Sequence, residues 1–184
     1  MAKTVLVLLA DGFEEIEAVT PVDILRRAGV EVVVAGVGGL ELKGAHGMTI
    51  RADVAVENVK DLPDAVVLPG GMPGASNLKE SPAVISLLKR MKEKDKIIAA
   101  ICASPGLALA ASGVLDGKKA TCYPGFEKGF GPKTAFVRDR VVTDGKIVTS
   151  RGPGTALEFS LELVRRLVSE KIADSLKNDI LAII

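Results

Sequence analysis

Three short runs constrain this chain more than anything else in it: Thr4–Ala10 (TVLVLLA), Ala65–Leu68 (AVVL) and Ile97–Ile101 (IIAAI). Side chains alternate between the two faces of a strand, so a run apolar at nearly every position is apolar on both faces. Such strands must be covered on both sides, as they are in parallel sheets packed between helices. The segment after the first run fits this. Asp11-Gly12 breaks the strand, and Glu14 to Ala28 has helical spacing, with Ile16, Val19, Ile24 and Leu25 apolar and Gly29 as the stop. Pro21 falls inside that pattern and predicts a kink. Val30 to Val37 then reads as a second strand, which completes a right-handed β-α-β unit.

The same alternation continues. Leu40 to Val56 is Gly-rich and loosely alternating, and predicts a hairpin excursion. Pro82 to Lys94 predicts a helix with Ser81 as N-cap and Pro82 at the first helical position. Pro105 to Ser112 predicts a helix stopped by Gly113. Lys119–Cys122, Arg138–Val142 and Ile147–Ser150 are strand candidates. Pro153 to Glu170 reads as a long amphipathic helix and Lys171 to the end as another. The expectation is one domain over residues 1–184, a doubly wound, mostly parallel sheet in a three-layer α/β/α sandwich.

Bulk composition narrows the function classes. Net charge is +1, with charged residues at 26%, so nothing points to nucleic acid or an acidic membrane surface. The basic stretch Lys89 to Lys94 reads as a solvated helix face. No apolar run approaches a membrane span, and no signal-peptide pattern precedes the first strand. The two cysteines, Cys102 and Cys122, make neither a disulfide framework nor a metal-ligand cluster, and a cytoplasmic, reducing location is expected.

In open α/β sheets, sites form beyond the carboxyl ends of strands. The residues there are Asp11 to Glu17, Pro69-Gly70-Gly71, Cys102 to Gly106 and Arg151-Gly152-Pro153-Gly154. Cys102 lies between a buried strand and a helix among small residues, the layout of a turn that presents a nucleophile. A helix N-terminus there favours the thiolate, so a lowered thiol pKa is expected. The Gly70-Gly71 amides can face an oxyanion. A carboxyl of Glu14, Glu15 or Glu17, if buried and protonated, could donate a hydrogen bond to that thiolate. His46 is the one histidine, and any Cys–His pair within the chain must use it. Cys122 reads as structural.

The chain resembles the ThiJ/PfpI superfamily, most closely its branch of the Parkinsonism-associated deglycase. The resemblance runs nearly the whole length through Ala10–Glu17, Pro21–Gly29, Val66–Gly71, Ile98–Ala103 and Thr149–Thr155. It implies a flavodoxin-like fold and a homodimer. It casts Cys102 as nucleophile, Glu17 as its buried acidic partner, and the Gly71 and Ala103 amides as an oxyanion-binding pair. It sets His46, Tyr123 and Gly70 at the substrate pocket. Two positions depart from relatives. Ala103 stands where peptidase-like members carry histidine. Tyr123 stands where other members carry a pocket histidine.

The resemblance therefore implies a cysteine-dependent enzyme needing no cofactor or metal. It would act on small reactive aldehydes or glycated substrates, as a glutathione-independent glyoxalase (a lyase) or a deglycase (a hydrolase). Two other readings stand beside it: a redox-sensing stress-response or chaperone-like protein working through oxidation of Cys102, and an intracellular amidase or peptidase.

Overall fold

The computed structural model describes residues 3–184. The chain runs β1 (Thr4–Ala10), α1 (Glu15–Arg27), β2 (Glu31–Val37), β3 (Glu41–Lys43), β4 (Thr49–Arg51), β5 (Val54–Ala55) and β6 (Ala65–Leu68). It continues through α2 (Gly74–Glu80), α3 (Pro82–Glu93), β7 (Ile97–Ile101), α4 (Ala110–Ser112), β8 (Lys119–Ala120) and β9 (Ala135–Phe136). It ends with β10 (Val141–Asp144), β11 (Ile147–Ser150), α5 (Ala156–Leu167) and α6 (Glu170–Asp179). Seven strands form the central sheet in the order β10-β11-β7-β6-β1-β2-β5, parallel throughout except for the antiparallel edge pair β10–β11.

The apolar runs do what their composition requires. Val5, Val7 and Leu9 of β1 enter one core with Leu25, Phe159 and Leu163 from α1 and α5. Leu6, Leu8 and Ala10 enter the opposite core with Leu78, Leu88 and Met91 from α2 and α3. Each central strand is thus buried on both faces, and the flavodoxin-like sandwich follows.

The chain leaves β1 toward β2 on one side, then returns to place β6 on the other. The carboxyl ends of β1 and β6 therefore splay apart at a topological switch point, and a crevice opens there.

Several local expectations need correction. The segment after Pro69-Gly70-Gly71 holds an additional helix, α2, which its Pro and Gly residues masked. Pro105–Leu109 winds as a π-helical turn before the short α4. The Lys119–Cys122 strand covers only Lys119–Ala120. Of the strand expected over Arg138–Val142, only Val141 and Val142 are extended, opening β10, and the unexpected β9 precedes it. The helix expected over Pro153–Glu170 ends at Val168, where φ −116° and ψ −80° leave helical space, and the second expected helix opens at Glu170, capped by Ser169 through Ile172 N at 3.3 Å. Pro21 stays inside an unbroken α1.

Candidate active site

Cys102 follows the last residue of β7, with its amide bonded to Ser150 O at 3.0 Å. Its φ is +65°, a left-handed conformation that costs a side-chain-bearing residue energy. That turn lifts the side chain out of the sheet. Small neighbours make it possible: a Cβ on Gly70 would lie 2.6 Å from Cys102 Cβ and 2.7 Å from Glu17 Oε2. Ser104 ties the turn to the next strand end by donating to Pro69 O at 2.5 Å.

Glu17 enters from the first turn of α1 and is fully buried. Gly70 N donates to its Oε2 at 2.7 Å, while its Oε1 is buried without a hydrogen-bond partner. The carboxyl also lies in hydrogen-bond reach of the Cys102 thiol. Burial pushes Glu17 up to about 7, against the hydrogen bonds from Gly70 and Cys102.

The thiol departs from the sequence expectation. Burial, then the Glu17 negative charge and its hydrogen bond, push Cys102 up to about 12, while the amides of Gly71 and Ala103 pull the other way. Desolvation and a neighbouring carboxylate outweigh the pull of the helix end. Two of those causes vanish when Glu17 carries a proton. The proton they share then belongs to the pair rather than to either residue.

The other candidates divide. The Gly71 and Ala103 amides both face the sulfur. Gly71 needs its φ of +86°, and a Cβ there would overlap Glu14 N. Tyr123 is half-exposed on the rim, with its amide donating to Cys102 O at 2.8 Å. Its ring lies against Gly152, where a Cβ would come within 3.1 Å of the ring and 4.0 Å of Glu17 Oε1. His46 is exposed and engaged elsewhere: its Nδ1 lies 3.0 Å from Glu15 Oε2 and 3.5 Å from Glu14 Oε2. The Glu15 hydrogen bond, with the charges of Glu14 and Glu15, raises the His46 pKa. Cys122 is fully buried, and desolvation followed by the Glu127 charge pushes its thiol up to about 12, as an inert core cysteine requires.

Ser104 and Gly152 are site residues the sequence reading did not single out. Both lie within or beside its highlighted segments, so their position was the available signal. Ligand atoms of Glu14, Glu15 and His46 lie within 4.8 Å of one another. Glu15, however, already accepts from His46 N, His46 Nδ1 and Met48 N, which makes it the clamp of the Gly44–Met48 loop rather than a free metal ligand.

A left-handed cysteine at a strand–helix turn, backed by a buried carboxyl in the crevice of an open α/β sheet, defines a thiol-centred α/β protein. The DJ-1/PfpI family model matches residues 3–166, and the chain belongs to that family. It is 44% identical over 180 residues to Parkinson disease protein 7 homolog of Danio rerio, covering 95% of each chain. It is 38% identical over 177 residues to Glutathione-independent glyoxalase DJR-1.2 of Caenorhabditis elegans, covering 95% of this chain and 94% of that one. Against the longer Protein DJ-1 homolog B of Arabidopsis thaliana it is 42% identical over 93% of this chain, but spans only 40% of the relative's length. The crystal structure of Drosophila melanogaster DJ-1beta superposes with a TM-score of 0.96 at 40% identity, covering all of both chains. Among the described residues, no helix is long and apolar enough to cross a membrane.

Proposed function

We propose that the protein is a cysteine-dependent enzyme acting on small reactive carbonyls, of the glutathione-independent glyoxalase type. One observation supports this reading: the buried Glu17 carboxyl sits beside the Cys102 thiol, with its Oε2 anchored by Gly70 N and its Oε1 buried without a partner. That arrangement holds and moves one proton beside a nucleophile.

With Glu17 protonated and Cys102 a thiolate, sulfur attacks the aldehyde carbon of methylglyoxal. The carbonyl π pair moves to oxygen, and the Gly71 and Ala103 amides receive the new oxyanion. The oxyanion takes a proton and gives a hemithioacetal. Glu17, now a carboxylate, removes the proton from the former aldehyde carbon and returns it to the neighbouring ketone carbon. The ketone oxygen ends as a hydroxyl, and the first carbon is left as a thioester. Water cleaves the thioester to lactate and regenerates the thiol. The reaction consumes one water and no external oxidant. The same adduct chemistry on early glycation products gives the deglycase activity.

Oxidation is the second reading. Two equivalents of peroxide would convert the thiol to a sulfinic acid, whose oxygens the same amides and the Glu17 proton would hold. Cys102 is not fully buried, which leaves its thiol open to peroxide. The amidase reading lacks support, because His46 is bonded to Glu15 and Ala103 offers no base. We also propose a homodimer, formed through the outer face of α1.

Lactate formation from methylglyoxal without glutathione, by wild type and Cys102→Ala, tests the enzyme. Lactate from wild type alone is expected. None from either protein overturns the glyoxalase reading in favour of oxidation.

A further inference from the structure

Beside the thiol site lies a second cavity of about 420 Å³, lined by Pro124, Glu127, Phe136, Arg138 and Arg151. It adjoins the thiol site along the chain. Pro124 follows Tyr123, whose amide holds Cys102 O, and Arg151 precedes Gly152, which lies against the Tyr123 ring. The two arginines come from different directions: Arg151 directly follows β11, and Arg138 lies just beyond β9.

Among the described residues neither Arg138 nor Arg151 is ion-paired within the protein, whereas the nearby Arg140 and Arg165 are. Arg151 Nη1 is buried with no hydrogen-bond acceptor. A buried guanidinium nitrogen without an acceptor is costly and needs explanation. Glu127 lies close enough for the Arg151 charge to help hold its carboxyl below the usual range, yet no hydrogen bond or ion pair joins the two, and its Oε2 accepts from Gly125 N at 2.6 Å. The cavity thus has two cations to one anion, with an aromatic ring and a proline as its apolar walls. Planar guanidinium groups recognise carboxylate and phosphate oxygens by paired hydrogen bonds.

We propose that Arg138 and Arg151 form an anion subsite that takes the carboxylate or phosphate group of a larger carbonyl substrate, whose aldehyde end reaches Cys102. The inference rests on the carbonyl reading above and narrows it: preferred substrates carry an anionic group set apart from the reacting carbon. Arg151 and Gly152 lie on the rim where such a chain would pass Tyr123.

Inorganic phosphate is the probe. Thermal unfolding of wild type, Cys102→Ala, Arg138→Gln and Arg151→Lys is followed against phosphate, with sodium chloride holding ionic strength constant. A saturable, phosphate-specific rise in Tm is expected in wild type and in Cys102→Ala, since the subsite does not use the thiol. Apparent affinity should fall about tenfold in Arg138→Gln, the loss expected for one charge-assisted contact. Arg138 is exposed, so that variant folds even if the Arg151 variant does not. No phosphate-specific rise, or an equal rise in Arg138→Gln, overturns the subsite. Phosphate binding without any carbonyl turnover would sink the enzyme reading while leaving the subsite standing. In kinetics, phosphate should raise KM for a carboxylate- or phosphate-bearing α-oxoaldehyde and leave that for methylglyoxal unchanged. A phosphate effect on methylglyoxal turnover with no preference for anionic carbonyls would make the occupant a free anion, and would overturn the substrate assignment.

Discussion

Burial of the Glu17 carboxyl makes stability depend on pH in one direction. Its folded value of about 7 stands above the ordinary glutamate value of 4.5. Between those limits the folded protein keeps a proton that the unfolded chain has lost. The stabilisation is fully present below about 4.5 and is lost as pH rises through about 7, amounting to roughly 3 kcal/mol. Glu17→Gln cannot titrate. Urea denaturation at pH 5 and pH 8 should therefore show the variant gaining on wild type by that order as pH rises. Parallel curves at both pH values would mean that Glu17 does not titrate in the folded state. The same substitution separates charge from proton transfer. The neutral amide removes the negative charge that holds the thiol up, so the pH midpoint of Cys102 alkylation by iodoacetamide should move down. Carbonyl turnover should nevertheless fall by a factor on the order of 100 or more, because an amide cannot shuttle the proton. An unchanged midpoint with unchanged turnover would remove Glu17 from the mechanism. At this scale much of the site was legible in the sequence, since Gly70, Gly71, Cys102 and Ala103 all directly follow core strands. The direction of the thiol pKa was not legible, because it depends on the desolvation and carboxylate that packing supplies. The engagement of His46 by Glu15 was equally hidden, because it joins residues far apart in sequence.

Among the elements, α1 shows how periodicity can be right about type and silent about face. Glu15 and Glu17 of its first turn are buried, whereas Ile16 and Val19 are exposed. Hydrophobic spacing alone would turn the helix the other way. Only from Ala18 onward do the buried positions, Pro21, Ile24 and Leu25, follow the usual pattern. The first turn is rotated toward the crevice because Gly70 N and the Gly44–Met48 loop supply the donors its carboxylates need. The central strands were easier to read, since burial on both faces leaves an unambiguous composition. The short β8 and β9 carry no such mark: β8 falls within Lys119–Cys122 but is half as long, and β9 is unmarked in the sequence. The π-helical turn at Pro105–Leu109 also left no sequence signature, yet it sets the rim of the site. Gly106 packs against the Phe126 carbonyl, and a Cβ there would overlap it. Gly129 closes the same contact from the other side. The Phe126–Gly129 turn follows directly from Tyr123, whose ring also meets Phe126 edge-on at 6.4 Å. Gly106→Ala should push that turn outward and move Tyr123 from its place over Gly152. Urea denaturation should show a loss of about 1–3 kcal/mol from overpacking, and steady-state kinetics should show KM for the carbonyl rising more than kcat falls. A variant with wild-type stability and KM would mean that the turn does not position the rim.

For the whole molecule, the question is what covers the outside of α1. Both faces of the sheet are already packed, so the exposure of Ile16 (52%), Val19 (43%) and Met48 (56%) does not come from a missing layer of the core. The amide of Met48 donates to Glu15, which ties its loop to the first turn of α1. An apolar patch of this kind beside a functional crevice marks an interface. A second copy of the chain is the occupant that the family resemblance implies, and a two-fold axis would bring the same patch of each copy together. That symmetry sharpens the test. A single Val19→Glu substitution places two like charges across the axis and removes both from water, which is costly for each carboxylate. Val19 is outside the thiol site and already exposed, so the charge costs the lone chain little. Light scattering should give wild type a mass twice the 19.2 kDa of one chain, and the variant the mass of one chain with an unchanged far-ultraviolet spectrum. A variant that stays dimeric would move the interface elsewhere on the surface. A wild type of 19.2 kDa at micromolar concentration would leave the α1 patch for another partner. Because α1 carries Glu15 and Glu17 on its inner side, an interface on its outer side would also brace the first turn that sets the proton-holding carboxyl beside Cys102. Dissociation should therefore loosen the pair and broaden the pH profile of Cys102 alkylation, whereas an identical profile in monomer and dimer would show that the site is complete within one chain.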